Sequence, residues 1–77
     1  MPISTETHAA FCRNLRARRI EAGLTQVDLA KRLGVSQPSV AQLETGEYVP
    51  SLDIVDRVAK ALRVPPETLL SQALAAI

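Results

Sequence analysis

A chain of 77 residues with 47% hydrophobic side chains, only 3% aromatic ones and 9 Lys or Arg against 8 Asp or Glu has material for one small domain and a limited core. Its Leu, Ala and Val content suits helices packed on helices. The single cysteine, Cys12, excludes an internal disulfide, and no apolar run is long enough to span a bilayer.

The formal net charge of +1 is small for a nucleic-acid partner, but the charges are unevenly placed. Arg13, Arg16, Arg18, Arg19, Lys31 and Arg32 outweigh Glu6, Glu21 and Asp28 in the first part. From Leu33 onward the acids predominate. If the partner is a nucleic acid, phosphate contacts are therefore expected mostly from the first two helices and a few later cations. The polar start ISTETH lacks the basic and apolar regions of a signal peptide, so a cytoplasmic protein is the expectation.

Met1 to about Thr5 is expected to fray, and a first helix to run from Glu6 or Thr7 to Ala22, capped by Thr5 or Thr7 and stopped by Gly23. Phe11, Leu15 and Ala22 form its apolar arc, with Arg19 at the edge and Ile20 off it. A buried arginine needs a partner, and Glu44 is the candidate. His8 and Cys12 stand one turn apart, but two ligands do not make a structural zinc site. Cys12 reads as a small, partly buried apolar side chain. No metal or other cofactor is expected.

The stretch TQVDLAKRLGVSQPSVAQLETG, Thr25 to Gly46, reads as helix, tight turn, helix. Thr25 and Asp28 make a capping box that starts a helix at Gln26, and Leu29, Ala30 and Leu33 recur at helical spacing. Gly34 ends it in the left-handed conformation, Val35 is an apolar plug, and Ser36 caps a second helix from Gln37. Such a short connection is that of a helix-turn-helix. Ala30 is small where the two helices cross. Stepping 100° per residue along the second helix puts Val40, Leu43 and Glu44 inward and Gln37, Pro38, Ala41, Gln42 and Thr45 outward. An exposed helix face usually carries Lys and Glu. Here it is short, polar and uncharged, as close approach to base edges in a major groove requires.

This segment resembles the DNA-binding helix-turn-helix of the Cro, Xre and lambdoid phage repressor family. The resemblance runs from about Phe11 to Leu70 and includes RRIEAGLTQ before the motif and PSLDIVDRVAKALRV after it. It implies an all-α, five-helix lambda-repressor-like domain with the motif at helices 2 and 3. It also implies an Arg19 to Glu44 pair and a phosphate contact from Gln26, whose place at a helix N-terminus independently favours an anion. Tyr48, in the loop EYVP, is a phosphate donor by the same resemblance, with packing on the fourth helix as the equal alternative. Ser36, Arg13, Arg16, Lys31, Arg32 and Lys60 complete the expected backbone contacts. Gln37, Pro38, Ala41, Gln42 and Thr45 are the expected base contacts.

Ser51 caps a fourth helix carrying Leu52, Val55, Val58, Ala59 and Leu62. Pro66 suits the first position of a fifth, although Pro65 stands where the family usually has a capping serine. The end of the chain is apolar on several sides, and Leu70, Leu74 and Ile77 are the expected dimer contacts. The whole sequence reads as one domain, 6–70 as core and 71–77 as a dimerisation extension.

No catalytic constellation is present: there is no second histidine and no glycine-rich phosphate loop. The leading expectation is a sequence-specific, repressor-like regulator binding double-stranded DNA as a homodimer on a palindromic operator. The alternatives are an antitoxin that also holds a toxin protein and a helix-turn-helix used only for protein interaction.

Overall fold

A computed structural model describes residues 4–72, and these contain five α-helices and no strand. They are α1 (Thr5–Glu21), α2 (Gln26–Leu33), α3 (Gln37–Thr45), α4 (Leu52–Leu62) and α5 (Pro66–Leu70). None of the described helices is long and apolar enough to cross a membrane.

Local chemistry sets most boundaries. Ser4, not Thr5 or Thr7, caps α1: its hydroxyl accepts from the Thr7 backbone N–H at 3.1 Å, so the helix begins earlier than expected. Three capping residues within four positions, Ser4, Thr5 and Thr7, made this end ambiguous from sequence. Thr25 and Asp28 form the reciprocal capping box of α2, with bonds of 3.0 and 2.9 Å. Gly34 ends α2 at φ 71°, and Ser36 and Ser51 cap α3 and α4 through the backbone N–H three residues on. Pro65 provides no side-chain cap for α5, as the departure from the family's serine implied.

Packing turns these helices inward. Phe11, Leu15, Leu29, Ala30, Leu33, Val40, Leu43, Val55, Val58, Ala59, Leu62 and Leu69 form one core to which every helix contributes. Helix α1 lies against α3 and α5, while α2 packs on α3 and α4. Two apolar expectations fail. Ala22 is exposed as the residue that closes α1, and Leu52, the first residue of α4, is 78% exposed. Leu52 shares helical spacing with Val55, but it lies a turn beyond the point where the core reaches α4. Ile20 is also exposed.

The far end of the domain is held by a side chain without a sequence signature. Asn14 donates its amide to the Leu69 carbonyl at 3.1 Å and the Ser71 carbonyl at 2.8 Å, tying α1 to the exit of α5. Two carbonyls at the exit of a helix thereby gain a donor.

Candidate nucleic-acid interface

The turn between α2 and α3 occupies three residues, Gly34 to Ser36, and presents α3 outward. Val40 and Leu43 anchor its inner face in the core, leaving Gln37, Pro38, Gln42 and Thr45 exposed. Ala41 is half-buried, so its methyl group sits lower on this face than expected. The face carries no charge.

Beneath it α3 is held by polar contacts as well as apolar ones. Arg19 meets Glu44 through two bonds, Nε to Oε2 at 2.6 Å and Nη2 to Oε1 at 3.1 Å, and its Nη1 donates to the Leu24 carbonyl at 2.9 Å. The side chains are 12% and 5% exposed. A planar guanidinium matched to a carboxylate fixes orientation as well as distance, so the pair sets the rotation of α3 about its own axis.

Gln26 extends this arrangement in a way that the sequence did not reveal. Its amide nitrogen donates to Glu44 Oε1 at 3.1 Å, and its carbonyl oxygen accepts from Gln37 Nε2 at 2.7 Å. A chain of four side chains, Arg19, Glu44, Gln26 and Gln37, therefore leads from α1 to the first residue of α3. Gln37 retains its carbonyl oxygen and one N–H, the two groups needed for an adenine edge. Sequence spacing placed Gln26 and Gln37 at adjacent helix starts but could not say that they would meet.

The expected backbone contacts separate into two groups. Arg13 and Arg16 line a shallow cleft with Thr45 and Gly46, beside the C-terminal end of α3. Gln26 lies at its other end, and Lys31 is exposed on α2. Arg32, by contrast, turns to α4, where it donates to the Ala61 carbonyl at 3.1 Å. Lys60 belongs to that helix as well and pairs with Asp56 at 3.2 Å across one turn. Ser36 is engaged as a cap, accepting from the Ser39 N–H at 3.3 Å. Tyr48 is 48% exposed and shares a cleft with Ile54 and Arg57 of α4. Arg57, not singled out in the sequence, donates to the Leu33 carbonyl at 2.6 Å and so holds α4 to the end of α2.

The cleft at the end of α3 also contains His8 and Cys12. Gly46 adopts φ +88°, and a Cβ there would lie 3.6 Å from Cys12 Sγ, so these α1 side chains pack directly against the end of the helix. Burial pushes the Cys12 thiol up from its ordinary range, outweighing a backbone hydrogen bond that lowers it. The thiol therefore remains protonated near neutrality. Among the described residues, no three His, Cys, Asp or Glu side chains are grouped to hold a metal ion.

Of the expected dimer contacts, Leu70 is half-buried against the core. Leu74 and Ile77 lie outside the described residues.

A helix-turn-helix family (HTH_3) matches residues 15–69. An uncharacterized HTH-type transcriptional regulator of Methanothermobacter thermautotrophicus is 48% identical over 48 residues, covering 62% of this chain and 70% of that one. Another, from Mycobacterium tuberculosis, is 42% identical over 59 residues, which are 77% of this chain but only 42% of that protein. Among solved structures, a hypothetical transcription factor, NHTF, from Neisseria superposes with a TM-score of 0.82 at 26% identity, covering 92% of this chain and 84% of that one. Motif, five-helix architecture and the match over residues 15–69 agree: the chain belongs to the Xre/Cro-type helix-turn-helix family.

Proposed function

We propose that this protein is a sequence-specific DNA-binding transcriptional regulator of repressor type, acting in the cytoplasm as a homodimer on a palindromic operator. The observation that carries this reading is the outer face of α3, where Gln37, Pro38, Gln42 and Thr45 are exposed and uncharged above a rigid polar anchorage. Amides on a helix that fits the major groove can read adenine, and the small apolar groups can meet a thymine methyl. Gln26, Arg13, Arg16 and Lys31 supply phosphate contacts around it, with Tyr48 at the loop. Because Arg32 and Lys60 are engaged on the α4 side, the reading relies less on them.

Dimerisation is assigned to the C-terminal segment, with Leu70 at its start and Leu74 and Ile77 beyond. Two recognition helices so joined would enter successive major grooves about 34 Å apart, with half-site centres about 10 bp apart. Sedimentation at micromolar concentration of the full chain and of a chain ending at Leu70 tests the assignment. An unchanged monomer in both would remove its basis.

Selection from random duplexes at moderate salt tests the function itself. An enriched, two-fold symmetric sequence is the expected result, with affinity falling steeply as salt rises. An enriched sequence together with a co-purifying second small protein would favour the antitoxin, and failure to enrich any sequence would favour the interaction module.

A further inference from the structure

Between the helix-turn-helix turn and α4 lies a partly enclosed cleft of about 170 Å³, walled by Val35, Leu43, Tyr48, Ile54, Gln42 and Arg57. Its lining is mainly apolar, and a dry cavity of about 150 Å³ is enough for a benzene ring. One charged side chain faces it. Arg57 is fixed there by the bond from its Nη2 to the Leu33 carbonyl at 2.6 Å, and among the described residues that is its one hydrogen bond. The rest of the guanidinium is left free to donate. An apolar enclosure with a single positioned guanidinium matches a ligand having one ring or branched apolar body and one carboxylate.

We propose that this cleft binds a small apolar carboxylate, of the size of an aromatic monoacid, and that its occupation weakens binding to DNA. The coupling follows from Gln42. It forms part of the cleft wall and is also exposed on the outer face of α3, so a bound ligand alters the setting of a base-reading side chain. The ligand also places a negative charge beside Tyr48, on the rim that would face phosphate. Binding to the cleft stands on the geometry alone, whereas the regulatory half rests on the proposed DNA-binding function.

The test is a ¹H–¹⁵N titration of the full chain with benzoate, benzamide and acetate at constant ionic strength. Benzoate is expected to give saturable shifts confined to the residues around the cleft, with a Kd of order 1 mM for so few atoms. Benzamide, lacking the charge, and acetate, lacking the ring, are each expected to bind about tenfold more weakly. Arg57→Gln should abolish the preference for acid over amide, and Ile54→Trp should exclude benzoate while leaving Arg57 in place. Should either variant fail to fold, the comparison of the three compounds on the wild type still decides. Shifts scattered over the surface cations, or equal binding of benzoate and benzamide, would overturn the site. So would cleft resonances that move with protein concentration alone, since a second copy of the chain would then cover it. With the selected operator duplex, saturating benzoate should lower affinity several-fold; unchanged affinity with the cleft occupied overturns the regulatory half. No DNA binding even without benzoate would instead sink the proposed function and leave the ligand site standing.

Discussion

Arg19 of α1 and Glu44 of α3, 25 residues apart in sequence, are joined by two hydrogen bonds, of 2.6 and 3.1 Å. The carboxylate is 5% exposed, so neither charge can be left alone without a substantial desolvation penalty. Replacing Arg19 or Glu44 singly with an apolar residue is expected to cost about 3 kcal/mol or more. Replacing both should cost much less, because no unpaired charge remains. A double-mutant cycle followed by urea unfolding measures the coupling, and additive effects would show that the pair contributes no mutual stabilisation.

The bond from Gln37 to Gln26 gives the base-reading prediction a second component. Gln37→Ala removes the amide proposed to meet the base, whereas Gln26→Ala leaves that amide present but unsupported. Gln37→Ala or Gln42→Ala should weaken binding to the selected operator by roughly 1–3 kcal/mol while hardly changing binding to random duplex. Gln26→Ala should reduce both, through loss of the proposed phosphate contact, and should reduce operator binding more. Arg13→Ala or Arg16→Ala should lower both affinities alike and flatten the salt slope by about one unit. Fluorescence anisotropy on the two duplexes over a salt series separates these outcomes. If neither Gln37→Ala nor Gln42→Ala alters operator preference, another surface reads the DNA.

Arg63 is the one described non-glycine residue at positive φ, closing α4 at φ 58°, ψ 44°. The left-handed conformation brings Cβ close to the following carbonyl, a cost that glycine avoids. Arg63→Gly is therefore expected to stabilise the domain by about 0.5–1 kcal/mol, net of the greater freedom that glycine has when unfolded. In a domain of this size that corresponds to a rise of about 4 °C in Tm. Calorimetry of Arg63→Gly beside Arg63→Ala checks it, since the alanine variant removes the charge while retaining the strain.

Hydrogen bonds from the Thr25 backbone and then its side chain hold the Asp28 carboxyl below its ordinary range. A lowered folded-state pKa means that the unfolded chain takes up a proton first. The stabilisation is thus fully present above the ordinary carboxylate pKa and is lost as pH falls through the folded value. Asp28→Ala should lower the urea midpoint at pH 6, and its deficit against the wild type should shrink steadily below about pH 4. A deficit that is constant with pH would mean that the ionised carboxylate is not what stabilises the start of α2.

The chain by itself determined the motif and the face that it presents, because caps and turns act within three or four residues and the apolar rows repeat within one helix. Thr25 with Asp28, Gly34, Ser36, Val40 and Leu43 each have the place their local chemistry predicts. The Arg19 to Glu44 pair was also legible, since a charge on the edge of an apolar arc requires a partner. Tertiary structure decided what depends on where one helix ends against another. It left Leu52 outside the core, turned Arg32 to the Ala61 carbonyl and Asn14 to the end of α5, and joined Gln37 to Gln26. Long polar side chains reach whichever unsatisfied carbonyl or amide the packed helices bring near, and no periodicity within a single helix records that choice.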